Sequence, residues 1–159
     1  MNYDAALEKY TSALATCPEY LSQSRAVLYA NIGACMLKQE KWTKCVESCT
    51  TALKLAPDYV KPLLRRAFAN EKIGSWASLQ ASLEDFKRAQ ELAPSGEAAQ
   101  GLLRVQPKAD EARKRETDEM LGKLKDLGNG ILKPFGLSTD MFKMAPDGKG
   151  GYSMNFQQR

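Results

Sequence analysis

Apolar residues recur along the chain at the spacing of amphipathic helices, and the pattern occurs three times. The segments that end at Pro18, Pro57 and Pro94 align, with a small residue five positions before each proline and a second apolar residue eight positions before it. These residues are Ala13, Ala52 and Ala89, and Tyr10, Cys49 and Phe86. Each segment has the i, i+3, i+4, i+7 pattern of a helix that buries one face. Proline then ends each helix because it has no N–H to donate.

Two further helices precede the second and third of these segments. Residues 25–39 and 60–74 are amphipathic, and Gly33 and Ala67 occupy equivalent positions 34 residues apart. Small residues at such positions let two helices approach closely. The repeating unit is therefore a helix pair of about 34 residues, and such pairs stack so that each packs on its neighbours.

This pattern resembles the tetratricopeptide repeat over residues 1–94. The resemblance implies an all-α fold, a helical superhelix of stacked pairs with a concave groove lined by the first helix of each pair. The chain opens at the second helix of the first pair, so we expect an incomplete first repeat, as in a truncated gene model or after an alternative start. About three extra residues follow Gly74 in SWASLQ. We place them in the turn between the helices, with Trp76 on the outside.

The pattern changes after Pro94. Residues 95–133 predict a charged linker and a long helix from Gln106 to about Ile131, whose charged first half faces solvent. We expect the apolar second half to cap the last repeat, which would otherwise leave an apolar face in water. The apolar residues of that half are Met120, Leu121, Leu124, Leu127 and Ile131.

The C-terminal tail, residues 134–159, is predicted to contain a short β-hairpin. Apolar residues alternate on both sides of the turn-forming APDGKGG, at Phe142 and Met144 and then at Tyr152, Met154 and Phe156. An isolated hairpin is marginal in water. We therefore expect it to dock on the helices of the same chain.

Composition argues against catalysis. The 159 residues carry a net charge of +4, are 43% hydrophobic and 26% charged, and include no histidine, the commonest general base. DGKGG lacks the spacing of a phosphate-binding loop. We expect no enzyme activity and no cofactor.

The sequence also has no pattern typical of a zinc site, a membrane span or a nucleic-acid-binding surface. The cysteines have the wrong spacing for zinc ligands, and we expect them to be reduced and buried, as in a cytoplasmic protein. They are Cys17, Cys35, Cys45 and Cys49. No apolar run approaches the roughly 18 residues of a membrane span. Mixed charge does not favour nucleic-acid binding.

Residues 119–158 resemble the C-terminal signature of the tetratricopeptide repeat protein 1 family, through the runs GKLKDLGN and PFGLST and a closing Y-S-x-N-F. That resemblance implies a cytosolic adaptor or co-chaperone linked to Hsp90 and Hsp70, with associations to small or heterotrimeric G proteins. The uncovered face of the first helix is consistent with a monomer or a weak homodimer.

A resemblance to chaperone-binding repeats implies a peptide site on the first helices. There, five Lys, Arg and Asn side chains form a clamp for the two carboxylates at the end of a Glu-Glu-Val-Asp peptide. Asn31 matches the second-repeat asparagine, and Lys61 and Arg65 match the third-repeat pair. Lys61 and Arg65 are four residues apart and share a helix face, whereas Asn31 and Arg65 are 34 apart and equivalent in successive repeats. The two first-repeat positions would precede Met1, so we expect three contacts of five and weaker binding.

Simpler interpretations stay open. Lys61 and Arg65 are also consistent with ordinary solvated charges, and Asn31 with a structural hydrogen bond. Arg66 is expected to point toward a neighbouring helix or the rim of the groove. The alternative function is a scaffold that binds a G protein or a translation-related client through the charged helix and PFGLST, independently of a terminal carboxylate.

Overall fold

The computed structural model describes residues 2–135 and 137–139, and the backbone of 142–146 and 152–156. Its helices are α1 (Tyr3–Thr16), α2 (Ser22–Lys38), α3 (Trp42–Leu55), α4 (Val60–Ile73), α5 (Trp76–Leu92) and α6 (Gly96–Leu132), followed by a single 3₁₀ turn at Lys133–Phe135. Two strands, β1 (Phe142–Pro146) and β2 (Tyr152–Phe156), pair antiparallel. The contacts divide the chain into two units, Met1–Arg113 and Lys114–Arg159.

Consecutive helices of the first unit pack as antiparallel pairs joined by short turns, as the repeat predicts. Contacts link α1 with α2, α2 with α3, α3 with α4 and α4 with α5, and α2 also contacts α4. Asn2 caps α1 by accepting the Ala5 N–H at 3.2 Å, and Gly74 ends α4 in the left-handed conformation, at φ 74°. Glycine adopts that conformation without the steric cost of a Cβ.

Two apolar clusters hold the unit together. The first joins α3, α4, α5 and the start of α6, with Phe86 and Val105 fully buried. The second joins α1, α2, α3 and α4 around Cys45 and Cys49. Close approach of the helices depends on glycine, because a Cβ on Gly33 would lie 2.6 Å from Cys49 Sγ. The predicted small residue at this position is therefore needed for packing.

The extra residues of the third repeat are helical, which corrects the expectation that they lie in the turn. Ser75 caps α5 by accepting the Ser78 N–H at 3.2 Å, and the helix begins at once with Trp76. Helix α5 therefore has 17 residues, whereas α3 has 14. A serine N-cap explains the earlier start. Trp76 lies in the first turn and is 37% exposed.

Helix α6 corrects the predicted cap in two ways. It begins at Gly96, ten residues before Gln106, with Ser95 Oγ accepting the Ala98 N–H. The face that packs on the repeats is the small-residue face of its first half, formed by Ala98, Gly101, Val105, Ala109 and Ala112. The apolar residues of the second half, by contrast, are 58–65% exposed. The first half is thus the cap.

The second unit is described by its backbone and by a few side chains. The hairpin has the predicted strands, with Phe142 opposite Phe156 and Met144 opposite Met154. Thr139 donates from its N–H and from its hydroxyl to Asn129 Oδ1, at 2.7 and 2.8 Å. Most of the predicted turn between the strands lies outside the described residues, and the docking of the hairpin stays a prediction.

Candidate peptide-binding surface

The three predicted site residues lie on two helices that contact each other. Asn31 is in the middle of α2, while Lys61 and Arg65 are in the first half of α4. Asn31 and Arg65 are half-buried and Lys61 is exposed. Equivalent positions in successive repeats are thus brought side by side within one unit.

Arg65 is fixed against α2 by a hydrogen bond. Its Nη1 donates to the Ala30 carbonyl at 2.6 Å, next in sequence to Asn31. A guanidinium has five N–H donors, so this bond leaves most of its donor capacity for a ligand. The result is a positive charge held beside Asn31 by the backbone of the neighbouring helix.

Lys61 contributes a second charge, one helical turn before Arg65. Among the described residues it has no ion-pair partner within 4.0 Å. A lysine ammonium can donate three hydrogen bonds and accept none. Lys61 and Arg65 together form a short cationic strip suited to carboxylate oxygens.

Arg66, the next residue, has a different role. Its Nε and Nη2 donate to the Asp85 carboxylate at 2.8 and 2.7 Å, and its Nη1 donates to Thr50 Oγ1 at 3.0 Å. The Asp85 side chain is only 6% exposed. Arg66 therefore points to neighbouring helices, as predicted, and its charge is neutralised within the protein. The ion pair to Asp85 could not be derived from spacing.

A crevice of about 320 Å³ lies between α1 and α2, next to the candidate site at Asn31. Its lining residues are Asn2, Tyr3, Ala6, Tyr10, Asn31, Ala34, Cys35 and Lys38. Lys38 lies seven residues after Asn31, two helical turns away on the same face. Sequence reasoning missed Lys38, although that spacing is visible in the sequence. Asn31 thus has a cation near it along α2 and another across on α4.

Ion pairs on Glu71 hold α6 against α4. Arg104 donates two hydrogen bonds to the Glu71 carboxylate, at 2.8 and 2.7 Å, and Lys108 Nζ donates to Oε1 at 2.7 Å. The hydrogen bonds from Arg104, with smaller support from Lys108, lower the pKa of Glu71 to about 2. These contacts position the first half of α6 on α4.

The described part of the chain shows no arrangement typical of a metal site with three or more ligands or of a membrane span. No described group of three or more His, Cys, Asp or Glu side chains is arranged to hold a metal ion. Within the same residues, no helix is both long enough and apolar enough to cross a membrane.

Solved structures share this arrangement of helices. The first TPR of Spaghetti (RPAP3), bound to the HSP90 peptide SRMEEVD, is 25% identical, with a TM-score of 0.59 over 66% of this chain and 78% of that one. The second TPR domain of human RPAP3, in complex with the HSP70 peptide SGPTIEEVD, is 28% identical, with a TM-score of 0.57 over 65% and 81%. The chain has a tetratricopeptide-repeat fold.

The chain also matches part of longer proteins. Sperm-associated antigen 1A of Danio rerio is 46% identical over 71 residues, which is 43% of this chain. The match spans 17% of the length of that relative. No family model matches the chain.

Proposed function

We propose that this tetratricopeptide-repeat chain is a co-chaperone adaptor that binds the acidic C-terminal peptide of Hsp90 or Hsp70. The observation that carries the proposal is Arg65, held beside Asn31 by its bond to the Ala30 carbonyl, with Lys61 one turn away. Two repeat domains of similar fold, those of Spaghetti and human RPAP3, are bound to peptides that end in Glu-Val-Asp.

Each side chain has a distinct part in the proposed complex. Lys61 and Arg65 donate to the two carboxylates at the peptide end, and such charge-assisted hydrogen bonds are roughly twice as strong as neutral ones. Asn31 offers an amide that can both donate and accept, which suits a peptide backbone. The exposure of Lys61 leaves that charge partly screened by water and salt, so we expect binding to weaken as ionic strength rises.

The proposed contacts form a partial clamp of three residues. A full clamp of this class, in the resemblance described above, has five. Hydrogen bonds to charged groups contribute roughly 1.5–3 kcal/mol each. Losing two therefore weakens a micromolar peptide by about two orders of magnitude or more.

We extend the proposal to the family and setting of the chain. The tail signature in residues 119–158 supports membership of the tetratricopeptide repeat protein 1 family. Such a protein is a cytoplasmic adaptor without catalytic activity. The absence of histidine and of a phosphate-binding loop from the sequence supports the non-catalytic assignment.

Calorimetry with the peptide SRMEEVD, as free acid and as C-terminal amide, tests the proposal. We expect the acid to bind and the amide to bind at least ~10-fold more weakly, because amidation removes one of the two carboxylates. Lys61→Ala/Arg65→Ala should abolish acid binding. Lys44→Ala/Lys87→Ala, which removes the same charge from exposed positions on α3 and α5, should retain it.

Equal binding of acid and amide would reject the clamp. That result favours the scaffold alternative, in which a partner such as a G protein is bound independently of a terminal carboxylate. Loss of binding in the α3/α5 control as well as in the site variant would show that net charge alone attracts the peptide, and would also reject the assignment of the three residues.

A further inference from the structure

Two cysteine thiols lie close together on α3, inside the stack of helices. Cys45 and Cys49 are about one helical turn apart, and their Sγ atoms are 4.0 Å from each other. Both residues are 0% exposed, so neither sulfur contacts solvent in the closed structure. Neither thiol belongs to the proposed clamp. The pair is therefore a buried dithiol without an assigned role.

Packing does not require sulfur at these two positions. The second helices of the other two repeats have a small residue and an aromatic residue at the equivalent positions. These are Ala6 and Tyr10 in α1, and Ser82 and Phe86 in α5. The α5 pair is as fully buried as the two cysteines, with both residues 0% exposed. What distinguishes α3 is therefore the chemistry of two neighbouring sulfur atoms.

Two thiolates at this distance are suited to a soft ion that accepts two ligands. Structural zinc sites need four ligands, whereas thiolate sulfur also selects Cu(I), which is stable with two. With bonds of about 2.3 Å, as between zinc and sulfur, sulfurs 4.0 Å apart subtend an angle of roughly 120° at the ion. Moving them apart by about 0.6 Å makes the arrangement linear. We propose that Cys45 and Cys49 bind one Cu(I) ion as a pair of thiolates.

The charge near the two sulfurs favours a monovalent ion. Cu⁺ and two thiols give a complex of charge −1 and two protons, which pass to solvent. A buried charge is costly unless an opposite charge lies near it. Cys45 Sγ donates to the Arg65 carbonyl at 3.8 Å, and the Arg65 guanidinium favours a negative charge at both sulfurs. Arg65 has no ion-pair partner within 4.0 Å among the described residues, so its charge can offset that of the complex.

The ion enters when the helices separate, or before they pack. Helix α2 covers Cys49 Sγ at Gly33, where a Cβ would lie only 2.6 Å from the sulfur. Local opening of the stack exposes groups that are covered in this way. Refolding the chain from urea in the presence of Cu(I) removes the need to wait for such an opening, and the experiment is therefore done in that way.

Competition for Cu(I) with the coloured chelator bathocuproine disulfonate tests the inference. The whole chain is refolded without oxygen in the presence of the Cu(I) chelate, and the fall in absorbance measures transfer of the ion. We expect the parent to take up one ion. Cys45→Ser should bind at least ~100-fold more weakly, because even an outer-shell partner of a metal is worth roughly 10–100-fold. Serine suits this position, since Ser82 is its equivalent in α5. Cys17→Ala/Cys35→Ala, which keeps the pair, should bind like the parent.

X-ray absorption at the copper edge identifies the ligands, and we expect two sulfur atoms in the parent. Cys49→Ala should lose the ion as Cys45→Ser does, so the test does not depend on the folding of one variant, which circular dichroism checks. No uptake by the parent, or equal uptake by the parent and both variants, overturns the inference and leaves the thiols as space-filling groups. Equal loss in the Cys17→Ala/Cys35→Ala control would show adventitious binding to any thiol and would also overturn it. The assay contains no peptide, so its outcome does not depend on the proposed clamp.

Discussion

The ion pair between Arg66 and Asp85 gives the sharpest test of the packing between α4 and α5. Two hydrogen bonds join the pair, and the side chains are 24% and 6% exposed, respectively. Removing one member of a buried pair typically costs 3–5 kcal/mol, because the other charge stays buried without a partner. Arg66→Met leaves the more deeply buried carboxylate without a partner, so we expect the free energy of unfolding to fall by about 3 kcal/mol. Asp85→Leu should cost less, since the more exposed guanidinium can reach water.

Urea unfolding followed by circular dichroism measures these losses. The double variant Arg66→Met/Asp85→Leu removes both charges and should lie within ~1 kcal/mol of the parent, because replacing a buried pair with apolar residues is often neutral. The control is the pair Arg88–Asp58, whose side chains are 50% and 72% exposed. Arg88→Met should cost at most ~1 kcal/mol, as for exposed ion pairs in general.

The pH dependence of the unfolding free energy tests whether Asp85 is the carboxylate left without a partner. Burial raises the pKa of Asp85 even with Arg66 opposing it, and removing Arg66 raises that pKa further. The folded Arg66→Met variant then binds a proton more readily than its unfolded chain, so its stability should rise relative to the parent as pH falls from 7 to 5. A loss below ~1 kcal/mol at pH 7, or a deficit independent of pH, would refute this account of the pair.

Two further predictions concern α6. The pKa of Glu71 is about 2 in the folded protein, below its ordinary 4.5, so its stabilising contribution is complete above pH 4.5 and disappears toward pH 2. The difference in unfolding free energy between the parent and Glu71→Gln should therefore be largest at pH 7, on the order of 2 kcal/mol, and should be smaller at pH 3. A difference that does not change with pH would contradict the proposed stabilisation by these ion pairs. Gly101→Ala should destabilise by about 1–3 kcal/mol, because its Cβ would lie 2.6 Å from the Phe86 ring. Gly122→Ala, with open space around it, should stabilise by up to ~1 kcal/mol in the same urea unfolding measurements, and a gain at both positions would contradict the close packing.

The repeat made α1 to α5 predictable because it encodes both local helix signals and contacts. Gly33 and Ala67 could be assigned to helix packing by their spacing alone, and the structure places Gly33 against Cys49. The boundaries of α5 and α6 were harder to predict. Pro107 suits the first turn of a helix, which favours a start near that residue, yet it lies inside α6.

The predicted cap was wrong for a reason of side-chain size. Leucine and methionine dominate any measure of apolar periodicity, so the second half of α6 gave the stronger signal. The half that packs has alanine, glycine and Val105 on its inner face, because the bulk is supplied by Phe86 of the facing helix. At the candidate site, the alignment of repeats could bring Asn31 near Arg65. It could not give the bond to the Ala30 carbonyl or the partner of Arg66, since both depend on rotamers.

The reactivity of the cysteines reports the local separation of helices. Helix α1 has no fully buried residue, and Cys17 at its C-terminal end is only half-buried, whereas Cys35 on α2 and Cys49 on α3 are buried. Burial raises the pKa of the Cys35 thiol, and the hydrogen bond with Cys45, together with burial, raises the pKa of the Cys49 thiol. An exposed thiolate attacks the electrophilic thiol reagent, so modification of a buried cysteine requires its helix to separate from its neighbours. The order in which the thiols react, followed by mass spectrometry, therefore reports the sequence in which the stack comes apart from its N-terminal end.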